Sequence, residues 1–241
     1  SFAPGNAPVA QRLADALPVT LWLNVGGLVL MLLVSIPLGV WAATRPNTLP
    51  DTTLTVLLYL GLAAPSFWLA LLGMQYVGLT LGLVPLSGFS SFGAEQWGFW
   101  PRVGDTLWHL TLPLLVGLVG GAAGLIRFVR GSMIEALRSD YVLAAKAKGC
   151  GPVRVLTRHA LRNALLPVIT ILGLSLPGLL GGSVILESQF ALPGLGQLFY
   201  QAVMMRDYPV IMALLTFGAV LTLLGNLLAD MAYALADPRV R

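Results

Sequence analysis

The sequence predicts an all-α membrane protein that crosses the bilayer several times. Of its 241 residues, 57% are hydrophobic and only 10% are charged, whereas soluble domains carry about 25% charged residues. Residues 52–94 contain no charge, and a helix needs about 20 apolar residues to cross the hydrocarbon core. Residues 127–167 interrupt this pattern because they form one long polar and basic stretch.

Apolar segments divide the chain into five predicted spans. The second span contains Pro65, and we predict one long helix kinked there, because a break would leave a first arm too short to cross. We assign an outer N-terminal loop to residues 1–18 and a transmembrane domain to residues 19–241. The predicted spans are Val19–Thr44, residues 52–83, Leu107–Phe128, Leu166–Leu186 and Val210–Leu235.

The distribution of basic residues predicts the topology. Eight of the fourteen Lys and Arg residues lie between Arg127 and Arg162, and basic loops stay on the cytoplasmic side of a membrane. With this stretch inside, alternation of the spans places residues 1–18, 84–105 and 187–209 outside. The formal net charge of +4 is too small and too localised to indicate a nucleic-acid partner.

Local signals predict that the basic stretch is folded. Ser132 and Glu135 have the spacing of a capping box, which predicts a helix start there. Gly149 suits the left-handed conformation that ends a helix, and Pro152 suits the first position of the next helix. Together these signals predict a helix, a tight glycine turn and a second helix.

In the second helix, basic and apolar residues fall on different faces. Arg154, Arg158 and Arg162 recur every four residues and share one face. The apolar positions are Val153, Leu156 and Ala160. One interpretation is a docking element for another protein, and the other is a basic segment that folds on the membrane surface beside anionic lipid.

The string DYVLAAKAKGCGPVRVLTRHALRNALLPV resembles the cytoplasmic coupling loop of ABC importer permeases, in their dipeptide, oligopeptide and nickel branch. The residues that carry the resemblance are Ala144, Ala145, Gly149, Leu166 and Pro167. The chain has Leu143 where the general family pattern has Glu, and its Leu-Pro pair lies later than in that pattern. The branch shares both departures.

The resemblance extends from Leu17 to Arg241 and implies a type I ABC importer permease fold. It also implies a second homologous permease subunit, two ATP-binding subunits and an extracytoplasmic substrate-binding protein, at a bacterial or archaeal plasma (inner) membrane. Members of the branch have six spans, so we expect a further span before Ser1. Within a coupling loop at residues 131–165, the implied ATPase contacts are Ala144, Ala145, Gly149, Gly151, Pro152, Arg154 and Arg158.

Residues 187–209 resemble the same branch through the pattern E-x-x-F-x-x-P-G-L-G followed by R-D-Y-P. We predict a turn at Pro193-Gly194 and a short amphipathic helix after it. One interpretation is a re-entrant turn that caps the bundle, with Arg206 and Asp207 paired locally. The other is an outer gate or a contact for the binding protein, formed by Glu187, Phe190, Pro193, Gly194, Gly196, Arg206 and Asp207.

The sequence lacks the signals of an ATPase or an ion-coupled carrier. A phosphate-binding P-loop needs Gly-Lys-Ser/Thr, but Lys146 and Lys148 both follow Ala. Ion-coupled carriers usually hold ionisable groups near the bilayer centre, whereas His109 and Asp230 lie near the ends of predicted spans. We therefore predict a transport subunit, not an enzyme, with no cofactor or metal in this chain.

The resemblance implies a permease subunit of an ATP-driven importer. No residue here identifies the cargo, so dipeptides or oligopeptides are favoured because they are the commonest substrates of the branch resembled. Nickel or another small solute is the alternative cargo, and an ion-coupled carrier or a structural membrane subunit is the alternative class. Candidate path-lining residues at the predicted kink are Pro65, Ser66 and Phe67. Glycines at 117, 120, 121 and 124 give small-xxx-small frames, which indicate either generic packing or a permease–permease seam.

Overall fold

The computed structural model describes residues 8–165, 168 and 183–236, and all regular elements in this part of the chain are helical. Among these described residues, three helices are long and apolar enough to cross a membrane, and a bent pair forms a fourth candidate span. The predicted all-α membrane fold is therefore confirmed. Most of the predicted fourth span, residues 166–186, lies outside the described residues, so the total of five spans stays a prediction.

The helices are α1 (Val9–Thr44), α2 (Leu49–Ala63), α3 (Ser66–Gly73, extended by a π-helical segment, Met74–Thr80), α4 (Phe99–Leu137), α5 (Asp140–Ala147), α6 (Pro152–Arg154, then π-helical Val155–Leu161, then Arg162–Ala164), α7 (Val184–Gln189), α8 (Leu195–Met204) and α9 (Tyr208–Ala236). The helix predicted over the fifth span is confirmed by α9.

The bundle is built on α1 and α4, which run parallel to each other. Gly26 of α1 lies beside Leu114 of α4, and Gly39 lies beside Val129, so both helices advance in the same direction. A Cβ atom at Gly39 would approach Val129 Cβ to 2.8 Å, which is closer than carbon atoms pack. Glycine at position 39 therefore permits the short distance between the two helices.

The first helix begins ten residues earlier than its predicted span, at Val9 and not at Val19. Residues 9–18, predicted as part of an outer loop, are therefore helical. The reason is packing, because Val9, Leu13 and Leu17 join an apolar cluster with α8. Pro18 lies inside this helix and removes one backbone hydrogen bond. The apolar contacts with α8 offset that loss.

The central helix α4 also exceeds its predicted span, Leu107–Phe128. Its 39 residues make it about 58 Å long, nearly twice the roughly 30 Å of a hydrocarbon core. The helix start predicted at Ser132 and Glu135 is wrong, because both residues lie inside α4. Buried Met133 and Ala136 continue the apolar face of the helix through this region.

The second predicted span is broken, so the prediction of one kinked helix is wrong. The two arms, Leu49–Ala63 and Ser66–Thr80, meet at an angle of 99°. Ala64 and Pro65 between them are extended, with ψ of 127° and 134°. Proline lacks the N–H that would continue a helix, and it disfavours the α conformation in the residue before it.

The connections collect at two opposite ends of the bundle. One end, here termed the basic end, carries the α1–α2 turn and the basic loop, residues 138–165. The opposite end carries the start of α1, residues 81–98, the start of α4, and α7 with α8. The backbone N–H of Gly88 donates to Phe190 O at 2.9 Å there. The topology predicted from the charges assigns the same segments to each end of the bundle. One difference is that the predicted outer loop at 84–105 is helical from Phe99.

A salt bridge fixes the start of α2 against α4 at the basic end. Arg130 Nε and Nη2 donate to Asp51 Oδ1 and Oδ2 at 2.8 and 2.7 Å, and the Asp51 side chain is only 4% exposed. The backbone N–H of Asn47 donates to the same carboxylate at 2.9 Å. Because the Arg130 contact is bidentate, it fixes the orientation of the two side chains as well as their distance.

We expect Asp51→Asn to lower the free energy of unfolding by about 1–3 kcal/mol, because it leaves a partly buried guanidinium without its charged partner. Unfolding of the purified protein in detergent measures this loss. Arg130→Gln and the double variant complete a double-mutant cycle. Because the two side chains contact each other, the double variant should lose less than the sum of the single losses. Additive losses would contradict the contribution assigned to this pair.

Candidate functional site

The basic loop forms the predicted helix, glycine turn and second helix. Gly149 has a φ of +79°, and its N–H donates to Lys146 O at 2.9 Å, while the N–H of Cys150 donates to Ala145 O at 3.1 Å. Pro152 is the first residue of α6. The left-handed conformation of Gly149 and the helix start at Pro152 are therefore confirmed.

The basic loop folds onto the end of α4 through one apolar cluster. Its buried side chains, which pack with Met133 of α4, are Val142, Ala145, Val155, Ala160 and Ala164. The other residues implied as ATPase contacts are exposed, namely Ala144, Gly149, Gly151, Pro152, Arg154 and Arg158. The glycine turn therefore projects into solvent from a packed base.

The second helix of the loop is wound partly as a π-helix, Val155–Leu161. Residues four apart do not stay on one face in this wider winding, yet Arg154, Arg158 and Arg162 are all exposed. Val153, predicted on the apolar face, is 72% exposed. The loop therefore presents a basic surface that is broader than the single face predicted from the sequence.

A cavity of about 290 Å³ lies where the basic loop meets α4. Its polar lining consists of Ser132, Glu135, Ser139, Tyr141 and Asn163. The two residues predicted to cap a helix start therefore line this cavity. It leaves room between the loop and α4, beside the apolar contact that holds them together.

The segment at the opposite end is organised around the carboxylate of Glu187, which is 0% exposed. Glu187 Oε1 accepts hydrogen bonds from Thr20 Oγ1 at 3.0 Å and from the N–H of Ser183 at 3.2 Å. Glu187 Oε2 accepts hydrogen bonds from the N–H groups of Gly196 and Gln197 at 2.7 and 3.1 Å. One side chain thus joins α7, α8 and α1.

Two glycines of the P-G-L-G pattern make room for this arrangement. A Cβ atom at Gly196 would lie 2.8 Å from the backbone N of Val184, and one at Gly194 would clash with the carboxylate of Glu187. The short helix predicted after Gly194 is confirmed as α8. These two positions therefore need glycine for close approach of neighbouring atoms.

Burial divides the residues predicted for the outer gate or contact into two sets. Glu187, Phe190, Gly194, Gly196 and Asp207 are buried, whereas Pro193 and Arg206 are exposed. Only the exposed pair can touch a docked partner in this conformation.

The second buried carboxylate of this segment is Asp207, which forms a salt bridge with Arg12 of α1 at 3.3 Å. The predicted local pair of Arg206 and Asp207 is not among the salt bridges of the described residues.

The candidate path residues lie at the break between α2 and α3. Pro65 and Phe67 are exposed there and Ser66 is half-buried, and their role in a path stays a prediction. In α4, three of the four frame glycines are exposed, at 117, 121 and 124. Packing and a permease–permease seam both remain interpretations of these frames.

Sequence reasoning missed the polar contacts that join distant segments, including the Arg12–Asp207 salt bridge described above. Asp51 pairs with Arg130 across 79 positions of the chain, and Thr20 pairs with Glu187 across 167 positions. Only two signals in the sequence bear on these contacts. Asp51 is an acid just after the α1–α2 turn, and Glu187 is the first residue of the E-x-x-F-x-x-P-G-L-G pattern. Neither signal indicates a partner.

The arrangement defines the class of protein. In the described ranges, no three His, Cys, Asp or Glu side chains come together as metal ligands would. The described helices instead form an apolar bundle with a folded basic loop at one end and a capped segment at the other. This arrangement agrees with the membrane transport subunit predicted from the sequence.

Residues 35–241 match the family described as "Binding-protein-dependent transport system inner membrane component". The chain therefore belongs to this family. It is a permease subunit of an ABC importer, and ATP hydrolysis takes place on partner subunits.

Similar proteins support this assignment. The oligopeptide transport system permease protein AppB of Bacillus subtilis (strain 168) is 43% identical over 240 residues, covering 100% of this chain and 74% of that protein. The dipeptide transport system permease protein DppB of Lactococcus lactis subsp. cremoris (strain MG1363) is 37% identical over 241 residues, covering 100% and 75%. A chain of the MetNI methionine ABC transporter, solved in inward-facing conformations, shares the fold with a TM-score of 0.72 at 19% identity, covering 96% of this chain and 99% of that one.

We expect Gly196→Ala to lower the free energy of unfolding by about 1–3 kcal/mol, because the added methyl group meets backbone atoms that have little room to move. Gly104→Ala is the matched control, since no atom lies within 4 Å of a Cβ at that position inside α4, and alanine favours a helix over glycine by about 1 kcal/mol. Thermal unfolding in detergent compares both variants with the parent. Equal melting temperatures for Gly196→Ala and the parent would contradict this packing.

Proposed function

We propose that this chain forms half of the translocation pathway of a peptide importer in a bacterial or archaeal plasma membrane. Its basic loop docks an ATP-binding subunit on the cytoplasmic side. The observation that carries the proposal is the exposed left-handed turn at Gly149, which stands on a base packed against α4. Basic side chains on both sides of the turn, among them Lys146 and Arg154, are also exposed and suit an acidic groove on the partner.

Contacts within the bundle provide a route from the loop to the candidate path. A push on the turn acts on α4 through the apolar cluster around Met133. From α4 it reaches α1 at Gly39, and it reaches α2 through the Arg130–Asp51 salt bridge. The far end of α2 is the break at Pro65, where the candidate path residues lie. ATP-driven movement of the loop therefore shifts the elements beside the path.

Two further partners are a substrate-binding protein at the end opposite the basic loop and a second permease beside the exposed glycines of α4. The positive-inside rule places the basic end in the cytoplasm, so the opposite end faces an extracytoplasmic substrate-binding protein. Pro193 and Arg206 are the exposed members of the predicted contact set at that end. A second homologous permease completes the pathway, and the exposed glycines of α4 permit close helix contact with it.

Peptides are the cargo that the relatives favour, because the names of AppB and DppB specify oligopeptide and dipeptide transport. The assay is uptake by the assembled importer in proteoliposomes, with labelled peptides and with labelled Ni²⁺ in parallel. We expect ATP-dependent peptide uptake that other peptides inhibit and nickel does not. Nickel uptake without peptide uptake would assign the importer to the alternative cargo.

We expect Gly149→Trp to abolish ATP-driven uptake while the protein still inserts in the membrane, because a bulky side chain blocks docking and strains the turn. Gly149→Asn should retain uptake, since asparagine tolerates a positive φ. Gly104→Trp is the control for bulk at an exposed glycine away from the loop, where a Cβ has open space, and it should also retain uptake.

ATPase activity, peptide uptake and co-purification of the ATP-binding subunit are measured for each variant. Full uptake by Gly149→Trp would contradict the docking role and would leave the loop as a basic element on the membrane surface.

A further inference from the structure

A stripe of three residues on the first turns of α1 faces α8. Arg12, Ala16 and Thr20 are spaced by four residues, so they lie on one side of the helix. Arg12 and Thr20 are separated by about 12 Å along the axis, which is close to the length of the ten-residue α8. The stripe therefore reaches both ends of α8.

The N-terminal end of α8 is tied to α1 through Thr20 and Glu187. Thr20 Oγ1 donates to Glu187 Oε1 at 3.0 Å and accepts the N–H of Leu195 at 2.8 Å. Glu187 Oε2 accepts the N–H groups of Gly196 and Gln197, so the carboxylate caps the free donors of the first turn of α8. Both side chains are 0% exposed.

The C-terminal end of α8 is tied to α1 through Arg12 and Asp207. Arg12 Nη1 lies 3.3 Å from Asp207 Oδ2, and the Asp207 side chain is only 2% exposed. The N–H of Asp207 donates to Ala202 O in the last turn of α8 at 2.8 Å. This residue therefore holds the end of the helix and its salt bridge together.

Apolar packing fills the space between the two polar contacts. The buried residues of this cluster include Ala16 of α1 with Leu195, Leu198 and Ala202 of α8. Apolar packing alone would tolerate sliding of α8 along α1. Buried carboxylates oppose such sliding, because a displaced carboxylate would lose hydrogen bonds that water cannot replace in a buried site.

We propose that Glu187 is a positioning residue for transport: with Thr20 at one end and the Arg12–Asp207 pair at the other, it clamps α8 to α1. The two helices then move as one body while the pathway opens and closes. This inference rests on the proposed function, because it assigns the outer part of α1 and α8 to the same moving unit of the importer.

The test uses a single introduced thiol as a reporter of the α1–α8 contact. The parent is the complete importer in proteoliposomes carrying Cys150→Ser, which removes the one cysteine of this sequence, and Ala202→Cys at a position that is 3% exposed. Any cysteine elsewhere in the importer is replaced by serine. A membrane-impermeant maleimide is added without nucleotide, with ATP, and with ATP and vanadate. Labelling rate and peptide uptake are measured in each state.

We expect the thiol introduced by Ala202→Cys to stay protected in all three states of the parent. Glu187→Gln places amide hydrogens against N–H donors, and Thr20→Val removes the hydroxyl. Each should raise the labelling rate by about tenfold, as the loss of a hydrogen bond to a charged group implies, and each should lower peptide uptake. Thr20→Ser keeps the hydroxyl and should behave like the parent.

Glu95→Gln is the matched control, because Glu95 is an exposed glutamate at the same end of the bundle and should change neither quantity. Labelling that rises in one nucleotide state of the parent would overturn the proposal, because α8 would then leave α1 during the cycle. Unchanged labelling and uptake in both Glu187→Gln and Thr20→Val would also overturn it.

If the importer does not assemble with Glu187→Gln, the labelling rates of Thr20→Val and Thr20→Ser are compared instead. Equal rates in these two variants would contradict the clamp. The labelling does not depend on uptake, so it still tests the clamp if Gly149→Trp disproves the coupling role of the loop.

Discussion

The close parallel contact between α1 and α4 constrains the rest of the structure. Lipid is as apolar as the side chains of the spans, so helices in a membrane associate through tight packing more than through hydrophobic burial. The glycine at position 39 permits this packing beside Val129. Each end of the bundle is then assembled on the ends of the same two helices. The basic loop rests on α4, and the opposite segment rests on the first turns of α1.

Apolar packing and polar contacts have different tasks in this bundle. Among the described residues, three apolar clusters bring the helices together, but their contacts tolerate small shifts. Orientation is fixed by a few carboxylates: Asp51 on α2, Glu187 on α7 and Asp207 before α9. Each accepts hydrogen bonds or a salt bridge from an element distant in the sequence. Because an unmade hydrogen bond is costly in a buried site, these few groups have a large effect on which arrangement is stable.

The sequence was informative wherever a single residue type satisfies a local requirement. Gly149 adopts the left-handed backbone conformation and Pro152 begins a helix, both as predicted. The backbone preferences of glycine and proline are sufficient to produce these two conformations. Prediction failed where a distant contact decides. Ser132 and Glu135 have a valid capping spacing, but α4 continues through them because Met133 and Ala136 are buried in its apolar contact. Residues 9–18 read as loop, yet α8 holds them in a helix. The partner of Glu187 lies 167 positions away, and no local pattern identifies it.

The described residues include two π-helical segments, Met74–Thr80 and Val155–Leu161, which have a consequence for the evolution of the family. A π turn closes its hydrogen bond over five residues, where an α turn uses four, so each segment holds one residue more than a regular helix needs. A relative that lacks one residue in either segment can form a continuous α-helix there and keep both flanks in place. Single-residue gaps between members of the family are therefore expected at these two sites, where a change in chain length need not displace the coupling loop or the bundle.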